Sequence, residues 1–477
     1  MNKIPSHPVL ELDSDRIREI SHYVTEKIVA HLESLPQQAL SDFEASGALT
    51  RSLNEPLPES GQSYRKLVDC LFDRAQTLGY NSASPGYLAF IPGGGLIHSA
   101  FADLIADAIN RYVGVWLAAP GLVQIEMTVI HWFCAIVGYP ETAGGFLTTG
   151  GSLANFSALF TARRSKLGEN FLCGMIYTSD QCHHSVLKAA SLAGFPQSNV
   201  RIIPSDSMFR IDLVRLSAQI RTDRADGLSP FAIVANAGST NTGAIDDLDA
   251  IAELSQHENL WFHADAAYGG FFMLTKRGRQ RLSGLERADS ITLDPHKGLF
   301  LPYGTGCLLV RNQSTLKKAH EIRADYLPPM QEDPERVDFC QISPELSRDF
   351  RGLRVWLPIK MHGIEAFRKN LDEKLDLAHW ITVKLKAIEQ IEIAAAPQLS
   401  VVAFRLRSCA DNLNLGNELT RALLDRINAS RRILLNGTWL SSTFVIRICI
   451  LSFRTHHEQV MTCLREIELA CAELNRG

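Results

Sequence analysis

The 477-residue chain is poor in the features that mark several broad classes of protein. Neither sign of charge dominates: 48 Lys and Arg stand against 52 Asp and Glu, a net charge of -4, which leaves no electrostatic footprint for nucleic acid or an anionic membrane. Its ten cysteines are scattered without CxxC pairs, and the N-terminus lacks the apolar core of a secretory signal. Reduced thiols in a cytoplasmic protein are the expectation. Apolar runs such as residues 231–235 and 307–310 are strand-sized, so no membrane span is expected. Internal repeats and low-complexity stretches are absent. Cys182-His183-His184 has no partner at zinc spacing, and adjacent histidines on a strand or turn point apart, so no metal is expected. Gly93-Gly94-Gly95 lacks both a preceding strand and the GxGxxG spacing of a dinucleotide site.

What is present is ordinary globular composition, 46% hydrophobic and 21% charged, in a chain long enough for roughly two or three domains. Residues 1–92 are charged and helix-patterned, broken at Pro56-Leu57-Pro58-Glu59-Ser60-Gly61, and they end in a segment of small and aromatic residues. From 93 to 355 helical patterns alternate with short apolar runs, near residues 173–177, 200–203, 231–235, 260–264, 291–293 and 307–311. That alternation indicates an α/β domain with a mainly parallel sheet covered on both faces. Residues 356–477 read as a small α+β domain. Ligands of parallel sheets bind beyond the strands' carboxyl ends, where Ser179, His183, Thr240, Asp265 and Lys297 all fall.

The chemistry converges there. Asp294-Pro295-His296-Lys297 delivers a lysine at a strand end; burial would lower its pKa, and an unprotonated amine can form a Schiff base with an aldehyde. Thr148-Thr149-Gly150-Gly151-Ser152 runs into an apolar helix, placing close-approaching amides and the Ser152 hydroxyl at a helix N-terminus suited to phosphate. Asp265, walled by Ala264 and Ala266, needs a buried partner such as a protonated pyridine nitrogen, and Ala267 is small enough for a flat ring to lie against it. His183 could stack on such a ring and relay protons. A phosphate cradle, a slot for a flat ring, an acid for a ring nitrogen and an amine nucleophile are what pyridoxal phosphate needs.

With these motifs in this order, the chain resembles the group II pyridoxal-phosphate-dependent amino-acid decarboxylases, the family of aromatic-L-amino-acid decarboxylase, over nearly all its length. The resemblance implies an aspartate-aminotransferase-type fold and a homodimer with active sites at the interface, residues 1–92 packing on the partner subunit. It implies Lys297 as the Schiff-base residue, Asp265 at the pyridine nitrogen, His183 on the ring opposite Ala267, and Gly151 and Ser152 at the phosphate. His296 precedes the lysine as in the family, and Thr240 matches a threonine near the cofactor's phenolic oxygen. Tyr326, in a breaker-rich stretch that looks like a lid, matches the tyrosine that returns a proton to Cα. The activity implied is loss of carbon dioxide from an L-amino acid, with aromatic substrates leading and glutamate or 2,4-diaminobutyrate as alternatives. A carbon–carbon lyase shares the core motifs, and a regulatory dimer that lost catalysis is disfavoured by the presence of both Lys297 and Tyr326.

Two departures stand out. Asp294 occupies a position where many members have Asn near the phosphate. Gly86 and Gly114 replace larger pocket residues, which suggests a roomier pocket, while Tyr87, Pro92 and Trp116 remain as substrate-pocket candidates. Arg447 matches a small-domain arginine read as structural or interfacial rather than as a clamp on the substrate carboxylate.

Overall fold

A computed structural model describes residues 10–43, 46–321, 330–333, 335–407 and 412–474. Its centre is a seven-stranded sheet formed by β1 (Gly144–Thr148), β2 (Gly174–Ser179), β3 (Val200–Ile203), β4 (Ser229–Asn236), β5 (Trp261–Asp265), β6 (Ser290–Leu293) and β7 (Gly306–Val310), in the order β1-β7-β6-β5-β4-β2-β3. Neighbours from β3 across to β6 are parallel, and only β7 runs against both of its neighbours, β6 and β1. Six strands therefore share one direction, and the C-terminal ends of β1, β2, β4, β5 and β6 reach one edge of the sheet. β1, β2, β5, β6 and β7 are buried along their whole length, as expected of strands covered by helices on both faces.

The apolar runs anticipated the strands from β2 to β7 within a residue or two, but not β1. Its first two residues are glycines, poor strand formers taken alone. The sheet requires the second: a Cβ on Gly145 would lie 2.1 Å from the Leu308 carbonyl oxygen on β7.

A second sheet of four antiparallel strands, β8 (Ile391–Ala395), β9 (Val401–Leu406), β10 (Asn436–Leu440) and β11 (Thr443–Cys449), is ordered β8-β9-β11-β10 and has its own core against the C-terminal helices. The helix Gly352–Lys386 carries the chain between the two cores, kinking at Gly363. Val355 and Ile359 of its first part pack under the large sheet; Ala378, Ile381 and Leu385 of its second pack under the small one. The division at 355/356 thus falls inside one helix rather than in a linker.

Among the described residues one helix, Pro120–Val137, is by length and composition apolar enough to cross a membrane, which uninterrupted runs did not reveal. Val129, Ile130 and Phe133 on this helix belong to the large core, and its Glu126 carboxylate meets Arg348 at 2.6 Å with both side chains fully buried. Such a pairing is what makes a carboxylate tolerable there.

Candidate active site

The strand ends enclose a cavity of about 300 Å³. Gly151, Ser152, His183, Thr240, Asp265, Ala267, His296 and Lys297, named above from the sequence, all line it. β1 leads through Thr149 and Gly150 into the helix Gly151–Lys166, whose N-terminus has no side-chain cap. Gly151 and Ser152, at this uncapped N-terminus, line the cavity and place the positive end of the helix dipole there. A Cβ on Gly151 would sit 3.0 Å from Asp294 Oδ2 and 3.4 Å from Ala267 Cβ, so this backbone lies close against the floor of the cavity.

Asp265 ends β5 and is 8% exposed. Its Oδ1 accepts from the Ala267 amide at 3.2 Å and its Oδ2 from Asn155 Nδ2 at 2.9 Å. Asn155 belongs to the motif that opens the helix but drew no role from the sequence. Four residues after Gly151, it lies on the face of the helix turned toward β5. It is the centre of a hydrogen-bond chain whose direction can be followed. Trp261 Nε1–H donates to Ser290 Oγ (2.8 Å), so the Ser290 proton goes to His263 Nδ1 (2.8 Å), leaving His263 Nε2–H to donate to Asn155 Oδ1 (3.0 Å). Thr292 Oγ1 donates to the same oxygen at 2.6 Å. The Asn155 amide then donates to Asp265 and to Ser185 Oγ (2.9 Å), and Ser185 donates onward to His183 Nδ1 (2.7 Å).

The chain sets protonation states at both ends. Burial pushes the His263 imidazole down to about 4, so it is neutral and has one proton to place. His183 caps the helix His184–Leu192, its Nδ1 also receiving the Ser185 amide at 3.3 Å. With Nδ1 accepting, the neutral ring keeps its proton on Nε2. Burial lowers its pKa, only partly countered by Asp265, which favours that neutral form.

Lys297 departs from the expectation. It sits on the short turn Pro295–Gly298 after β6, with its side chain 20% exposed. Burial pulls its proton affinity down, but Asp294 Oδ2 lies 2.8 Å from Nζ, and with Asp265 it more than offsets the burial. The net direction is up: the amine is held as an ammonium.

Thr240 follows β4, and its carbonyl, like that of Asn241, accepts from Arg447 on β11. Arg447 also reaches Asn436 Oδ1 (3.1 Å) and the Phe90 carbonyl (3.4 Å). Its guanidinium, 2% exposed, is thus engaged in tying the small sheet to the cavity wall, the structural alternative of the sequence reading.

The three substrate-pocket candidates do not line the cavity. Tyr87 packs with Leu40, Ala89 and Leu434, and Phe90 stacks on it. Trp116 is half-buried under the Arg336 guanidinium, and its amide donates to Asp338 Oδ1 at 2.7 Å. Pro92 is buried beside Gly93, where a Cβ would come 1.9 Å from the His296 carbonyl oxygen, so this segment runs directly behind the lysine turn. Gly86 and Gly114 do not widen a pocket. A Cβ on Gly86 would meet the Arg432 carbonyl oxygen at 2.4 Å, and one on Gly114 the Leu346 carbonyl oxygen at 2.6 Å. Tyr326 lies outside the described residues.

Comparisons with known proteins agree with this geometry. Residues 47–407 match the model of the pyridoxal-dependent decarboxylase conserved domain. The chain is 34% identical over 468 residues to an aromatic-L-amino-acid decarboxylase of Bacillus atrophaeus, covering 98% of each. It superposes on the crystal structure of Oryza sativa TDC with PLP and tryptamine with a TM-score of 0.93 at 25% identity, over 98% of this chain and 99% of that one. The glutamate decarboxylase domain of a diaminobutyrate-pyruvate transaminase and L-2,4-diaminobutyrate decarboxylase from Vibrio parahaemolyticus matches with a TM-score of 0.82 at 25% identity, over 98% and 97%.

Proposed function

The chain belongs to the pyridoxal-dependent decarboxylase family, and from that premise we propose that this carboxy-lyase acts on an aromatic L-amino acid, releasing the amine and carbon dioxide. The likeness to the Bacillus atrophaeus enzyme over nearly the whole of both chains carries the substrate reading. The glycines at 86 and 114 no longer argue against it, since each is required by a backbone contact rather than left open for a polar substrate.

The cavity suits pyridoxal phosphate on its own terms: an uncapped helix N-terminus, a glycine pressed against its floor, a buried carboxylate and a lysine amine all meet in it. Gly151 and Ser152 would hold the phosphate, Asp265 the protonated ring nitrogen, and Lys297 the aldehyde, with His183 and Ala267 on opposite faces of the ring and Thr240 and His296 at its rim. When bound, the cofactor supplies a sink for the electron pair left on the substrate Cα as carbon dioxide departs. The protein's share is positional and electrostatic. Asn155 and the Ala267 amide fix the Asp265 carboxylate as an acceptor, and the chain through Ser185 keeps a proton on His183 Nε2. Tyr326 returns the proton to Cα.

A second copy completes the substrate end in this reading. Tyr87 and Trp116 do not line the strand-end cavity of their own chain, while Ile17, Val29, Phe43, Leu104, Ile105 and Ile109 are exposed on the N-terminal third. Carbon dioxide release should be measured over the common amino acids and several diamino acids. Release is expected from tryptophan, tyrosine or phenylalanine; release only from glutamate or 2,4-diaminobutyrate overturns the aromatic assignment. In the same assay Tyr326→Phe should cut amine formation about a hundredfold while leaving the cofactor's absorbance intact. Undiminished amine output would remove Tyr326 from the reaction.

A further inference from the structure

Asp294 is the residue whose presence the family reading explains least. It is 2% exposed, yet its side chain makes no cap to the turn it precedes. Its Oδ1 is buried with no hydrogen-bond partner, and its Oδ2 meets Lys297 Nζ at 2.8 Å. His296 supplies no second hydrogen bond: its Nδ1 is engaged with the Thr305 carbonyl at 2.6 Å, and its Nε2 lies 3.8 Å from Asp294 Oδ2, beyond hydrogen-bond reach. A buried carboxylate with one donor depends on that donor.

The pair also relieves a conflict. Asp294 Oδ2 lies against Gly151, at the helix N-terminus suited to phosphate, where a bare carboxylate would repel the anion. Matched with an ammonium, it presents no net charge there.

We propose that Asp294 is a positioning residue for Lys297: it docks the lysine as an ammonium whenever the amine is free, and the pair must part before the nitrogen can bond to the cofactor aldehyde. The ammonium loses one proton to solvent, the nitrogen's freed electron pair bonds to the aldehyde carbon, and the carbonyl oxygen leaves as water. Capture of the cofactor by the empty protein therefore strengthens as pH rises. The other groups facing Lys297 do not replace Asp294. Asp265 stands farther off on β5 and adds to the same pull, His183 is neutral, and the Cys449 thiol on β11 is pushed up to about 12 by burial and stays protonated.

The inference rests on Lys297 being the residue that bonds the aldehyde, and the two can fail separately. Apoprotein of the wild type and of Asp294→Asn should be mixed with pyridoxal phosphate from about pH 6 to about pH 10, and capture followed by absorbance. The variant's midpoint should lie lower by about one pH unit or more. Coinciding midpoints overturn the proposal. Should the variant not fold, acylation of Lys297 in wild-type apoprotein replaces it. Half-labelling at a higher pH than a free lysine peptide supports the docked ammonium, and half-labelling at the same or lower pH refutes it. Borohydride reduction of the loaded wild type with peptide mapping tests the premise: no adduct on Lys297 removes the anchor itself, whereas an adduct with coinciding midpoints removes only the role of Asp294.

Discussion

Lys297, Asp265 and His183 follow the ends of three strands of one sheet and line one cavity, whereas Tyr87, Pro92 and Trp116 sit in connecting segments and line none of it. The cofactor-site candidates thus come together within a single chain. Their geometry comes from strand register: β4 and β5 pair Asn236 with Asp265, β5 and β6 pair Asp265 with Thr292, and the lysine turn begins three residues later. The substrate-end candidates have a different frame: the Tyr87 segment is bridged to Leu434 and hydrogen-bonded to β11 through the Leu88 carbonyl, and Trp116 lies beneath Arg336.

The largest effect that bears on this contrast is a loss followed by a rescue. Lys297→Ala should lower decarboxylation by at least about a thousandfold. If Trp116 serves the partner's site, Trp116→Ala copies will be impaired too, but an exchanged mixture of the two variants will recover activity. In a mixed dimer one site lacks both residues and the other has both, so random pairing should restore about a quarter of the wild-type rate. An exchanged mixture no better than the average of its parents would place Trp116 away from any shared site and dissolve the contrast between the ends.

How far the sequence could be read follows the same line. Strand ends carry their functional residues at fixed offsets from apolar runs, so Asp265, His183 and Lys297 were legible together with the sheet that presents them. The charge state of Lys297 was not. Burial and a neighbouring carboxylate act in opposite directions, and which one wins depends on the 2.8 Å to Asp294, a distance that no spacing encodes. Gly86 and Gly114 misled for a related reason: a missing side chain reads as space, whereas here the space is filled by the Arg432 and Leu346 carbonyls. β1 was missed because its first two residues are glycines, poor strand formers locally, and the need for Gly145 shows only in its closeness to Leu308 on β7. Asn155 was not legible, since one more polar residue on a helix carries no signal until its partners on β5 and β6 are known.

Asn155 offers the smaller and more discriminating test, because it lines the cofactor cavity and holds both Asp265 and Ser185 there. Asn155→Ala removes a donor from Asp265 and from Ser185 and leaves the Thr292 hydroxyl and the His263 Nε2–H without their acceptor. Asp265 keeps the Ala267 amide, and His183 Nδ1 keeps the Ser185 amide, so neither end collapses. The expected result is a ten- to hundredfold fall in kcat, of the order seen when outer partners of a reactive group are removed. A changed visible band of the bound cofactor should accompany it, since the carboxylate at the ring nitrogen is less firmly held. A purely structural role would instead lower Tm while leaving kcat, its pH profile and that band where they are in the wild type. Asn155→Asp separates the two further. It nearly preserves volume and keeps an acceptor for Thr292 and His263, but it cannot donate to Asp265 while ionised and sets a second carboxylate against it. It should therefore harm the cofactor band more than Asn155→Ala does, and the reverse order would show that packing, not the direction of the hydrogen-bond chain, is what Asn155 provides.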